Sequence, residues 1–86
     1  MKTVWKFPIL PGETVEMPLG AEVISIGEQG AGCVLWALVD SDEPIRTKRS
    51  FVVAGTGHTI DKPLGRFIGT VQFRNGLVFH FWEAVA

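Results

Sequence analysis

The sequence predicts a small single-domain antiparallel β-sandwich or barrel of about seven short strands, ending in a long hairpin. Apolar residues recur with a period of two along most of the chain, and no helical period persists long enough for a substantial helix. Gly, Pro and Asn separate these segments at intervals of roughly ten residues, which is typical of sandwiches and small barrels. With 86 residues, the chain is expected to form one domain over residues 1–86.

Each predicted strand is an apolar segment bounded by turn residues. The seven strands cover residues 3–9, 14–17, 21–28, 33–39, 46–54, 66–73 and 77–83. Pro8 places the first strand at a sheet edge or ends it, because proline lacks the N–H that a central strand needs. The fourth strand is a continuous apolar run, which predicts a central strand buried on both faces. A type I turn is predicted at Met17–Gly20, because proline occupies the second position of the turn and glycine the fourth.

Consecutive hairpins are the simplest topology for these strands. The acidic loop 40–44 and the basic start of the fifth strand are expected to bracket one such hairpin. Within that strand, Arg49 should point away from the other cations, because side chains alternate between the two faces. The long connection 55–65 has room for a single helical turn near Asp61.

The last hairpin has two possible registers, which place its phenylalanines differently. A two-residue turn would scatter them over both faces. A three-residue loop, Arg74–Gly76 with Gly76 in the left-handed region, keeps most of them on one face. This register pairs Phe73 with Leu77, Val71 with Phe79 and Gly69 with Phe81. We expect the Phe81 ring to cover the gap left by Gly69.

The two faces of this hairpin differ in polarity. The predicted core face consists of Phe67, Val71, Phe73, Leu77, Phe79 and Phe81. The opposite face mixes polar and apolar residues and consists of Arg66, Ile68, Thr70, Gln72, Val78, His80 and Trp82. Such a mixture predicts a protein–protein interface. We expect self-association through Ile68, Val78, His80 and Trp82, with the tryptophan as the anchor.

The best candidate for a ligand-binding segment is Gly55-Thr56-Gly57-His58. Its two glycines let the backbone approach a ligand closely, and successive amides can form an anion-binding nest. Thr56 and His58 would add polar contacts. Alternatively, the glycines serve only an irregular turn and His58 is solvated. The segment is not a dinucleotide-binding fingerprint, because the glycine spacing and the following helix are absent.

Composition argues against several functional classes. A net charge of −1 gives no electrostatic basis for nucleic-acid binding. Cys33 is the single cysteine, so neither a disulfide framework nor zinc-ligand spacing is present, and a small buried thiol is expected. The acidic loop lacks the ligand spacing of a calcium loop. We therefore expect no metal, no cofactor and, since no nucleophile, base and orienting group stand out together, no catalytic residues.

Apolar content and chain ends lead to expectations about assembly and location. Hydrophobic residues make up 47% of the chain, more than one small core readily absorbs, which favours a homo-oligomer. Lys6 and Pro8 interrupt the apolar stretch that a signal peptide would need, and no run approaches membrane-spanning length. A soluble protein of the cytoplasm without membrane contact is expected.

Six blocks follow one another along nearly the whole chain. They are Trp5–Pro8, Met17–Ala21, Leu35–Asp40, Gly55–His58, Phe67–Thr70 and Leu77–His80. With these blocks in this order, the chain resembles a family of small uncharacterised phage and prophage proteins. The resemblance implies a phage-encoded protein in the bacterial host cytoplasm, and it brings no activity or functional residues. The chain departs from the pattern of that family at the Gly30–Cys33 turn and at the tail 84–86.

These observations favour a phage-encoded, non-enzymatic binding protein, expected to be a homo-oligomer. It would antagonise host defence by sequestering a small anionic, nucleotide-like signal or by blocking a host protein. Two alternatives stay open. A structural or virion-assembly protein would use the mixed hairpin face for packing, and a small hydrolase would use His58.

Overall fold

The computed structural model describes residues 1–10, 14–30 and 32–85. Its strands are β1 Lys2–Ile9, β2 Thr14–Pro18, β3 Glu22–Gln29, β4 Gly32–Asp40, β5 Arg46–Gly55, β6 Leu64–Gln72 and β7 Val78–Ala84. Each lies within two residues of its predicted bounds, since turn residues mark most strand ends. Ala31 and Ala86, which belong to the Gly30–Cys33 turn and the tail 84–86 discussed above, lie outside the described residues.

The strands form two antiparallel sheets that pack as a sandwich, which confirms the predicted all-β class. One sheet has the order β1-β4-β3 and the other β2-β5-β7-β6. β4 is central and β1 is an edge strand, as predicted. The expected hairpin around loop 40–44 is wrong, however, because β4 already pairs with β1 and β3 while β5 lies in the other sheet. Among the strands, β3–β4 and β6–β7 are the consecutive pairs that form hairpins.

The connection between β5 and β6 contains a turn at residues 56–57 and a bend at residue 62 but no helical residue, so the helical turn predicted near Asp61 is wrong. Both strands pair antiparallel with β7, and the chain must therefore return from the end of β5 to the opposite end of the sheet. Gly55 pairs with Phe79 and Leu64 with Ala84, a separation of about 17 Å along β7. In residues 1–10, 14–30 and 32–85, no helix long and apolar enough to cross a membrane is found.

The core lies between the two sheets. Its buried cluster consists of Ile9, Met17, Ala21, Val23, Cys33, Leu35, Ala37, Val39, Phe51, Val71 and Phe81. At its margin, the Arg49 guanidinium donates two hydrogen bonds to the Glu83 carboxylate, at 2.7 and 3.0 Å, and a third to the Ala21 carbonyl. This inward position matches the predicted alternation of β5. The pair satisfies two charged groups at the edge of the apolar layer.

The predicted register of the last hairpin is confirmed near its turn. Val71 pairs with Phe79 and Gly69 with Phe81. The Phe73 amide donates to the Leu77 carbonyl at 2.8 Å, and Gly76 has φ +88°. Loop chemistry determines the pairing here because only a left-handed glycine closes the three-residue loop without strain.

Farther along the hairpin, two irregularities in β6 reverse the predicted faces. Phe67 pairs with Trp82, with register shifts on both sides. Phe67, predicted to lie in the core, is therefore 52% exposed on the outer face. Ile68, predicted to lie at the interface, packs against the core. A Cβ on Gly65 would lie 2.5 Å from the Glu83 carbonyl oxygen, so this irregular segment depends on glycine.

Two other details of the core face are wrong. Leu77 is 52% exposed, because it lies before the first residue of β7. The gap at Gly69 is closed by Ile26 of the opposite sheet rather than by Phe81, since a Cβ at Gly69 would lie 3.1 Å from Ile26 Cγ2. Gly69 therefore lets β6 approach β3 closely at this corner of the sandwich.

The turn after β2 is displaced by one residue from its predicted position. The Ala21 amide donates to the Pro18 carbonyl at 3.1 Å, and Gly20 has φ +82°. These features belong to a type II turn with glycine third. The predicted type I turn at Met17–Gly20 is wrong because Met17 stays in the strand, paired with Thr47 and fully buried.

Candidate functional site

The segment Gly55–His58 forms a tight turn at the end of β5. The His58 amide donates to the Gly55 carbonyl at 3.1 Å, and Gly57, in the third position, has φ +86°. Glycine at this position is what a type II turn requires. The backbone conformation thus accounts for Gly57 without a ligand.

Two amides of this turn already have acceptors within the protein. The Thr56 amide donates to the Val78 carbonyl at 3.3 Å, and the His58 amide closes the turn on Gly55. They are not free for the anion-binding nest predicted from the sequence. A ligand next to the turn would instead meet its side chains.

Gly55 allows the His58 ring to lie against the end of β5. A Cβ on Gly55 would lie 2.8 Å from His58 Nδ1 and 2.9 Å from Cε1. Any larger residue would push the ring away. The two glycines therefore have different roles, since Gly57 supplies a positive φ and Gly55 supplies space for the imidazole.

His80 lies on the outer face of β7 between two threonine hydroxyls. Its Nε2 is 2.7 Å from Thr56 Oγ1, and its Nδ1 is 2.9 Å from Thr70 Oγ1. The half-buried ring thus joins the turn after β5 to β6 across β7. Sequence reasoning placed Thr56 and His80 in separate sites, because their proximity depends on the pairing of β5 with β7, for which the sequence carries no local signal.

A cleft of about 250 Å³ lies between the Gly55–His58 turn and the start of β7. It is lined by Gly55, Thr56, His58, Gly76, Leu77, Val78 and Phe79. One wall is apolar, the other carries a hydroxyl and an imidazole, and none of these residues is acidic. The exposed Leu77 side chain contributes to the apolar wall. This arrangement suits a small ligand that has both an apolar part and hydrogen-bond acceptors.

The predicted interface residues are only partly brought together. Val78, His80 and Trp82 share the outer face of β7, whereas Ile68 turns inward. Phe67 takes its place, with its ring 5.5 Å from that of Trp82 in an edge-to-face arrangement. Period-two reasoning missed Phe67 because the irregularity in β6 shifts the alternation.

Within residues 1–10, 14–30 and 32–85, no group of three or more His, Cys, Asp or Glu side chains is arranged to hold a metal ion. Cys33 is buried, and desolvation raises the pKa of its thiol, with the nearby Glu28 carboxylate adding to the effect. A raised pKa disfavours the reactive thiolate.

Comparison with known proteins identifies a family without a described activity. A family model described as "Domain of unknown function (DUF7352)" matches residues 1–86. Neither curated proteins nor solved structures give a match to this chain.

Proposed function

This chain belongs to the DUF7352 family, and we propose that it is a non-enzymatic binding protein for a small anionic, nucleotide-like ligand. The ligand would occupy the cleft between the Gly55–His58 turn and the start of β7. The observation that carries this proposal is the lining of the cleft, where Thr56 and His58 oppose an apolar wall and no acidic group is present.

The chemistry of the two walls indicates which part of a ligand would lie where. The Thr56 hydroxyl and the His58 imidazole can donate hydrogen bonds to phosphate or carboxylate oxygens. Leu77 and Phe79 offer apolar surface to a planar ring. At about 250 Å³, the cleft is smaller than the roughly 300–1,000 Å³ typical of sites for drug-sized ligands. A mononucleotide would therefore be partly enclosed, with the remainder in solvent.

The resemblance of the sequence blocks to phage and prophage proteins supports the biological role that we propose. A phage-encoded protein that binds a nucleotide without converting it lowers the free concentration of that nucleotide in the host cytoplasm. Sequestration of a host-defence signal is the role that we propose. The hydrolase alternative would use His58 as a base and would require a further group that orients this ring.

Calorimetric titration with AMP, GMP, CMP, UMP and inorganic phosphate tests the proposal. We expect saturable binding of at least one nucleotide, and weaker binding to a His58→Ala variant. The matched control is Thr59→Ala, an exposed neighbour that is not among the residues lining the cleft. If none of the five compounds binds, the ligand-binding function is rejected and the structural alternative is favoured.

A second function, self-association, is supported by a different observation. Phe67 is 52% exposed although it is a large aromatic residue, and it packs against Trp82 on the same outer face. Bulges often serve to redirect a side chain, and here the redirected ring enlarges an apolar surface. We propose that a second copy of the chain covers it. Blocking a host protein through this face is the competing outcome of the same test.

A further inference from the structure

The His80 ring connects a residue that lines the cleft to one that does not. Thr56 lines the cleft and its hydroxyl contacts Nε2, whereas Thr70 lies on β6 and its hydroxyl contacts Nδ1. Both distances, 2.7 and 2.9 Å, are those of good hydrogen bonds. A chain of three side chains therefore runs from β6 across β7 to the edge of the cleft.

Proton counting restricts the directions of these hydrogen bonds. A neutral imidazole carries one N–H and one acceptor nitrogen, and each hydroxyl carries one proton. With the proton on Nδ1, the ring donates to Thr70 and the Thr56 hydroxyl must donate to Nε2. With the proton on Nε2, the ring donates to Thr56 and the Thr70 hydroxyl donates to Nδ1. Only the second arrangement leaves the Thr56 proton free for a ligand.

We propose that Thr70 and His80 are positioning residues that direct the Thr56 hydroxyl proton toward an acceptor oxygen of a ligand in the cleft. This inference rests on the proposed function. The bound state then has an uninterrupted series of hydrogen bonds, from Thr70 to His80, from His80 to Thr56 and from Thr56 to the anion. Hydrogen bonds that point in one direction along a chain polarise and strengthen one another.

The side chains around the ring do not fix the direction of the relay. Its cross-strand neighbours are Thr70 on β6 and Ala54 on β5, and along β7 the same face carries Val78 and Trp82. None of these side chains is charged. The direction of the relay is therefore decided by the hydroxyls and by whatever occupies the cleft.

Binding of AMP, or of whichever of GMP, CMP and UMP the wild type binds in its place, and of inorganic phosphate to three variants of β6 tests the relay. Thr70→Val keeps the side-chain shape but removes the hydroxyl, and we expect AMP affinity to fall roughly three- to tenfold. Thr70→Ser should restore most of the affinity, because it restores the donor. Gln72→Ala is the control, since Gln72 is an exposed residue of the same strand and of the same face. Thermal unfolding of each variant verifies that it is folded.

The imidazole ¹⁵N chemical shifts of His80 provide a readout that a structural role would not change. We expect the proton on Nε2 in the AMP complex. If the wild type binds neither AMP nor phosphate nor any other nucleotide, the proposed function fails and the relay fails with it. If AMP binds but Thr70→Val behaves like Gln72→Ala, the relay is overturned while the proposed function stands. If Thr70→Val does not fold, the wild type alone decides the matter. A proton on His80 Nδ1 in its complex with AMP overturns the relay.

Discussion

The Phe67 ring packs edge-on against Trp82 on the outer face of the four-stranded sheet, with 5.5 Å between the ring centroids. In this arrangement the positive edge of one ring faces the negative face of the other. The pair exists because β6 departs from regular pairing next to Phe67. A local irregularity of one strand thus creates the apolar surface through which self-association is proposed.

Removal of either ring should weaken self-association without unfolding the domain. Phe67 and Trp82 are not part of the buried cluster, so Phe67→Ala and Trp82→Ala are expected to keep a β-type circular dichroism spectrum. Light scattering should show both variants shifted toward the monomer. Val4→Ala is the control, because Val4 has similar exposure, 49%, but lies on the other sheet. A wild type that stays monomeric at high concentration contradicts the proposal, and the blocking of a host protein then becomes the better use of this face.

The irregularity in β6 should itself depend on Gly65. A Cβ at this position would lie 2.5 Å from the Glu83 carbonyl oxygen, which is fixed in β7 and cannot move aside as a side chain would. We expect Gly65→Ala to lower the free energy of unfolding by about 1–3 kcal/mol. Gly32→Ala is the control, since no atom would lie within 4 Å of its Cβ. Urea denaturation compares the two, and equal stabilities would mean that β6 adapts without cost.

The last hairpin separates what the sequence could predict from what it could not. The pairing of Val71 with Phe79 depends on the loop chemistry of residues 74–76, which is local and therefore readable. The orientation of Phe67 depends on how closely Gly65 approaches Glu83, a contact that exists only once the sheet has formed. Strand positions were predictable for the same reason as the register, because turn residues mark them.

The candidate site was only half predictable. Gly55–His58 stands out in the sequence as a glycine-rich turn, and the structure places it beside a cleft. The contact between Thr56 and His80 could not be foreseen, because it depends on the non-local pairing of β5 with β7. The failed prediction of a hairpin around loop 40–44 has the same origin, since local pattern does not decide which sheet a strand joins.

Cys33 should be protected from alkylation in the folded protein. Burial raises the pKa of its thiol, so little thiolate is present near neutral pH. We expect slow reaction with iodoacetamide at pH 8 and rapid reaction after unfolding in urea. Since the folded pKa lies above the unfolded one, this group should also make the protein less stable as the pH rises through the normal thiol range and above it. Cys33→Ala should remove that part of the pH dependence, and fast labelling of the native protein would contradict the burial argument.

Displacing the His58 ring without changing its chemistry gives the most direct test of the cleft. In Gly55→Ala the new methyl group would occupy the space where the ring now lies, 2.8 Å from Nδ1. The imidazole is the movable partner, so we expect it to swing away while the strand stays in place. Binding of AMP should then fall roughly tenfold, as expected when a hydrogen bond to a charged ligand is lost.

The stability of Gly55→Ala should change less than that of Gly65→Ala, where the obstacle is backbone. Calorimetry and urea denaturation of both variants measure the two effects separately. If Gly55→Ala binds AMP as the wild type does, the position of His58 is irrelevant to the ligand, and the imidazole has to be removed from the proposed site.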